Sequence, residues 1–286
     1  MDSRDPCRGA MGQERSVEDE KEQSVMIWRL EEAEQKQIVQ IGSSACGATA
    51  VLNVLQALRL DIPAEVIASC VQTRLRKNDA PLAEYLISRS VAGATHQQLI
   101  EGAERATEGG VVGKFFSFFP ERHVQLTAWL AHWMRRGAVA VLTMNMQVAV
   151  PRDKEIPDAW HHQMIFGVDT EEIYMTNPLE IVKSSLVKQR LSSQSLLLIR
   201  RHDILARLSG GTDFSRFKQL PNHSLWEQLD VAGQIAAMIS GDAAPAEVSD
   251  YVVIPAAYRS GVTLFTPRHS ELASELLSAS ELPLLH

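Results

Sequence analysis

Cysteine is scarce: Cys7, Cys46 and Cys70 are the only three in 286 residues. So low and odd a count excludes a small disulfide-held fold. It points to free thiols in a reducing compartment, so each thiol needs its own explanation. Long apolar runs are missing too. The longest near the middle is GAVAVLTM, residues 137–144, far short of the about 20 residues a membrane-spanning helix needs. The first 24 residues are polar and charge-rich and hold no apolar stretch that could act as a signal peptide. The cytoplasm is therefore the expected location, with no membrane partner. Positive charge is not in excess: 28 Lys and Arg stand against 35 Asp and Glu, a net charge of −7. A basic nucleic-acid surface is not expected. Neither His-Glu-x-x-His nor Cys-x-x-Cys occurs, so no metal site is expected. GGVVGKFF (109–116) has the wrong spacing for a phosphate loop, and Phe115 stands where Ser or Thr would hold magnesium. No cofactor is called for.

What is present is ordinary for a chain that buries a core: 45% apolar and 22% charged residues. Residues 1–24 lack hydrophobic periodicity and read as a flexible polar tail. Residues 25–200 read as the main domain. Residues 201–286 read as an extension of helix and strand packed on it. After a loop at Gly42-Ser43-Ser44, ATAVLNVLQALRL is apolar nearly all round, the pattern of a buried helix. Thr95 and Gln98 form a capping-box signature for a helix over roughly 96–107, and HVQLTAWLAHWMRRG has helical spacing ending at Gly137. Residues 109–119 hold a candidate strand. The period then changes. Residues 138–144, 162–168, 173–177 and 195–199 read as strands, the second and third joined by a tight turn. Ser224 and Glu227 form a second capping box for a helix ended by Gly241. YVVIPAAY (251–258) and VTLF (262–265) read as a terminal strand pair. The class is α+β.

Chemistry concentrates at QIGSSACGA, residues 40–48. Cys46 sits where a glycine-containing loop becomes a buried helix, and first-turn amides there favour a thiolate. The Gln40 side-chain amide, six positions upstream, is a candidate donor to an oxyanion beside the Cys46 N–H. A nucleophilic cysteine needs a base, and the base an orienter. His161 and His162 stand at a strand entrance, and neighbouring strand residues point to opposite faces, so only one faces Cys46. Asn177, sixteen residues after His161, closes the next strand. Its carbonyl is placed to accept a hydrogen bond from the imidazole and fix the tautomer. Glu180 is a second candidate orienter that otherwise reads as a solvated loop charge. Cys70 has helical apolar neighbours and reads as core; Cys7 reads as an inert exposed thiol.

Gln40-x5-Cys46-Gly47, then His161-x5-Gly167, then Asn177-Pro178 resembles the papain-like cysteine peptidases. Cys-Gly-Ala opening a helix, with His followed by an apolar strand, is most similar to their double-glycine leader (bacteriocin-processing) branch. The resemblance covers roughly residues 35–180. It implies a helical lobe carrying the nucleophile packed on an antiparallel sheet carrying the histidine. Cys46 would be nucleophile, His161 general base, Asn177 orienter and Gln40 oxyanion donor. The branch's usual distance from histidine to glycine favours His161 over His162. Ala45 stands where the branch has an acidic residue and Asn177 where it has Asp, and no transporter segment follows. The expected activity is cleavage of a peptide or amide bond through an acyl-thioester, with a peptide or protein substrate. The alternatives are an inactive peptidase-like binding module and a transglutaminase-like acyl transferase.

Overall fold

The computed structural model describes residues 24–151, 154–157, 159–240 and 250–285. The expected tail lies outside them except for Ser24, as do Cys7 and Gly241. The chain opens with β1 (Val25–Met26) and α1 (Leu30–Lys36), then α2 (Cys46–Ala57), α3 (Ala64–Val71), α4 (Leu82–Val91) and α5 (His96–Ala106). β2 (Val111–Ser117), α6 (Leu126–Arg135), β3 (Val139–Asn145), β4 (Trp160–Val168), β5 (Glu172–Met175) and β6 (Glu180–Lys183) follow. The remainder is α7 (Ser184–Leu191), β7 (Leu196–Arg200), α8 (Arg201–Leu205), a 3-10 turn (Ser215–Gln219), α9 (His223–Gln228), α10 (Val231–Ser240), β8 (Tyr251–Pro255), β9 (Gly261–Pro267) and α11 (Glu271–Ser278).

The architecture is α+β. Seven strands form one sheet in the order β2-β9-β3-β4-β5-β6, with β1 paired to β4, and every pairing is antiparallel. Helices cover both faces. Val139 and Val141 of β3 point into a cluster with α2 and α5, while Ala140, Leu142 and Met144 point into one with α6, α7 and α11. That two-sided cover is why the run from 138 to 144 is continuously apolar instead of alternating. A third cluster joins α4, α9, α10, β7 and β8 to Trp160 and Tyr258.

Local expectations and topology part company near the C-terminus. The strands at 251–255 and 261–267 form, but they do not pair with each other. β8 pairs with β7, while β9 inserts between β2 and β3, one strand in from the β2 edge of the main sheet. Residues from both sides of position 200 thus share one sheet. The helix expected after Ser224 is two helices, α9 and α10, broken at Asp230, whose φ is +46°. Ser224 lies inside α9, whose N-cap is Asn222. The Thr95–Gln98 capping box forms with both reciprocal bonds.

Leu264 is the test of that insertion. It is fully buried on β9 in the cluster lined by α6, α7 and α11. Leu264→Ala should lower unfolding free energy by about 2–5 kcal/mol, the range for a buried leucine, measured by urea denaturation. A loss below about 1 kcal/mol would contradict an interior β9.

Candidate active site

Cys46 is the first residue of α2, and Ala45 caps the helix without a side-chain hydrogen bond. The first-turn amides are therefore left to face whatever lies at the helix entrance. The helix looks apolar in sequence, yet two buried polar residues on it fix the preceding loop. The Ile38 N–H donates to Asn53 Oδ1 (2.8 Å), and Asn53 Nδ2 donates back to Ile38 O (3.0 Å). Thr49 Oγ1 accepts from the Ile41 N–H (3.2 Å) and donates to Ala45 O (2.9 Å). Gly47 lets the helix approach its neighbours: a Cβ there would meet Ala94 Cβ at 3.2 Å, Leu99 Cδ2 at 3.3 Å and His162 Cδ2 at 3.4 Å.

The fold brings Cys46, His161 and Asn177 together. The Cys46 thiol is buried, and the side chain of His161 and the main-chain groups of His162 and Gly47 lie close enough to act on the sulfur. His161 Nε2 lies 2.6 Å from the main-chain carbonyl of Asn177. A carbonyl only accepts, so Nε2 carries the proton and Nδ1 is left for the thiol. The Asn177 side chain plays no part in that bond; its Nδ2 is buried without a hydrogen-bond partner among the described residues. Asn177 has φ +56°, a left-handed conformation that asparagine tolerates better than most residues.

Burial opposes ionisation of Cys46, but the hydrogen bond and charge of His161, with the two N–H groups, outweigh it and hold the thiol below the ordinary cysteine range. Burial likewise opposes charge on His161. The Cys46 thiolate, the Asn177 carbonyl and the charge of Glu180 outweigh it and raise the imidazole above its ordinary value. The two shifts favour a thiolate–imidazolium pair.

His162 points elsewhere. Its Nε2–H donates to Ala94 O (2.8 Å), and Nδ1 accepts from Thr143 Oγ1 (3.1 Å). Burial pushes its pKa down to about 3. Gln40 is exposed, and its Nε2 donates to Gly42 O at 2.9 Å. In this conformation the amide serves its own loop and is not turned to the sulfur. Gln37, which sequence reading passed over, accepts the Asn177 N–H at 3.1 Å. Glu180 is not a free loop charge: it begins β6 and accepts from Gln163 Nε2 at 2.8 Å. Cys70 is half-buried on α3. Beside the sulfur lies a cleft of about 30 Å³ lined by Ser44, Arg76, Arg89, Trp160, Leu197 and Tyr258. Tyr258 donates to Ala92 O. Its approach is allowed by Gly93, where a Cβ would collide with the phenol oxygen. Among the described residues, no group of His, Cys, Asp and Glu could hold a metal ion.

The unfolded chain takes up a proton on His162 near pH 6.5, whereas the folded chain does so only at about 3. This group therefore contributes its full stability above pH 6.5 and loses it as pH falls toward 3, by about 1.4 kcal/mol per pH unit. Nitrogen-15 NMR of the folded protein at pH 5 should show a neutral His162 with the proton on Nε2. A charged ring there would contradict the assignment.

No family model matches the chain, and neither does any curated protein. Solved structures do match. A Bacillus anthracis protein described as a C39-like peptidase is 15% identical, over 55% of this chain and 89% of its own, with a TM-score of 0.37. A double-glycine motif protease from an AMS/PCAT transporter, solved with its leader peptide, is 12% identical over 53% and 81%, with a TM-score of 0.32. The peptidase domain of Streptococcus ComA, a bifunctional ABC transporter, is 9% identical over 54% and 89%, with a TM-score of 0.33. The likeness is distant at these scores.

Proposed function

We propose that the chain is a cysteine peptidase that cleaves a peptide or amide bond through an acyl-thioester. The observation that carries the reading is the buried Cys46 thiol beside His161, whose ring is itself held at 2.6 Å by Asn177 O. The Cys46 sulfur attacks the scissile carbonyl carbon while its proton resides on His161 Nδ1. The resulting oxyanion is met by the Cys46 N–H at the start of α2. Gln40 supplies a second donor by exchanging its bond to Gly42 O for one to the oxyanion. The C–N bond then breaks, and the leaving amine takes the proton from His161. Water, deprotonated by His161, attacks the thioester, and the acid leaves with the thiol restored. The Asn177 carbonyl keeps the ring in the Nε2–H tautomer throughout, with Nδ1 facing the sulfur.

The cleft beside Cys46 is narrow, about 30 Å³, which supports substrates with small side chains next to the scissile bond. No helix among the described residues is long and apolar enough to cross a membrane. Cys46 and Cys70 are both free thiols, and the cytoplasm, where thiols stay reduced, is the compartment we assign to this activity.

Proteome-wide profiling of new N-termini should show cleavages with wild type that vanish with Cys46→Ala; identical profiles would overturn the reading. His161→Ala should lower kcat/KM by about 10²–10⁴-fold, the range for a removed general base, without a matching loss of thermal stability. A loss below about tenfold would contradict its role. Iodoacetamide at pH 6.5 should modify Cys46 faster than Cys70 despite its deeper burial, because the thiolate is the reacting form. Asn177→Gly keeps both the carbonyl and the positive φ, whereas Asn177→Ala adds strain of about 1–2 kcal/mol. The glycine variant should therefore keep more activity than the alanine variant; an equally severe loss in both, since both lack the amide, would argue for the side chain as orienter.

A further inference from the structure

His161 and Gln163 are two residues apart on β4, so their side chains leave the strand on the same side. Gln163 is fully buried. Its Nε2 donates to Glu180 Oε1 at 2.8 Å and lies 3.3 Å from each of Thr176 O and Pro178 O. These are the carbonyls on either side of Asn177. Three acceptors around one amide nitrogen identify it as the nitrogen and not the oxygen. Gln37 Oε1 accepts the Asn177 N–H at 3.1 Å. The turn carrying the carbonyl that meets His161 is thus fastened at both flanks and at its centre, and a carboxylate closes the set.

We propose that Gln163, with Glu180 behind it, is a positioning residue for the Cys46–His161 pair. Gln163 aims the main-chain carbonyl of Asn177 at His161 Nε2 and ties the charge of Glu180 to the same turn. This inference rests on the peptidase reading but deepens it. Orientation of the imidazole is assigned to a main-chain group whose direction is set by a glutamine two residues beyond the histidine. A main-chain carbonyl has no rotamer of its own, so it stays aimed only if its turn is held. The negative charge need not touch the ring, because a carboxylate within several ångströms still favours the imidazolium in a poorly solvated site. The ionisable groups that act on His161 are Cys46 from α2 and Glu180 from β6; His162, on the opposite face of the same strand, stays uncharged.

The test follows the titration of His161 itself, by nitrogen-15 NMR of the full chain, in wild type, Glu180→Gln and Gln163→Leu. Both variants should lower the His161 midpoint, by on the order of 0.5 pH unit. Both should also slow iodoacetamide modification of Cys46 at pH 6 by several-fold. A merely structural role would change thermal stability and leave the midpoint in place, and an unmoved midpoint in folded variants overturns the proposal. Glu180 is half-buried on the last strand of the sheet. Glu180→Gln should therefore fold and decide the matter even if Gln163→Leu does not. Failure of the peptidase reading would show separately, as wild-type protein without turnover, whereas failure of this one shows as unchanged titration.

Discussion

A sulfur and an imidazole lie beside each other at the buried entrance of α2, and the rest of the site is organised around the cost of charging them there. Two opposite charges out of water are stable only when their remaining hydrogen-bonding capacity is met. Here the partners are mostly main-chain groups: the His162 and Gly47 N–H groups toward sulfur, and the Asn177 carbonyl toward the ring. Main-chain dipoles do not reorganise when charge appears, so the stabilisation is in place before any reaction. That arrangement explains why so many neighbouring side chains act on backbone and not on the reactive atoms. Thr49 and Asn53 fasten the loop before Cys46, while Gln37 and Gln163 fasten the turn at Asn177.

Two adjacent histidines divide the work by strand geometry alone. His161 leaves β4 toward Cys46 and becomes more basic. His162 leaves on the other side, is held between Ala94 O and Thr143 Oγ1, and becomes far less basic. The buried ring of His162 packs against Gly47, while its N–H reaches the sulfur. A single residue thus braces the helix with its side chain and the thiolate with its backbone. An uncharged ring suits that place, since a second imidazolium beside His161 would repel the first.

Much of this was legible because it is local. The loop-to-helix change at Cys46, the Thr95–Gln98 box and the switch to strand period after Gly137 are short-range patterns with direct physical causes. Strand alternation forced a choice between His161 and His162. What was not legible is of two kinds. Partner choice between strands is not encoded in either strand alone, so the segments at 251–255 and 261–267 look like a hairpin although β9 belongs between β2 and β3. The identity of a side chain also says little when the working atom is a carbonyl. Asn177 stands at the right position, but its amide is not what meets the imidazole. Gln163 and Gln37 leave no local signature, because a lone glutamine in a strand or after a helix reads equally well as surface.

The position of β9 bears on the site as well as on the core. Tyr258, three residues before β9, stacks on Trp160 at 5.8 Å between ring centroids and reaches Ala92 O across the cleft beside Cys46. Burial and the nearby Cys46 thiolate both raise its pKa, so the phenol keeps its proton and remains a donor. The wall facing the sulfur is consequently built in part by a segment from the far end of the chain, anchored between β2 and β3 of the sheet. Removing an interior strand leaves the backbone hydrogen bonds of both neighbours unmet, so the cleft wall and the sheet are one cooperative unit. Tyr258 lies in the connection between β8 and β9, and Arg89 of the same cleft is buried and donates to the Tyr85 hydroxyl at 2.9 Å, so the wall is tied into the helix and sheet packing on both sides.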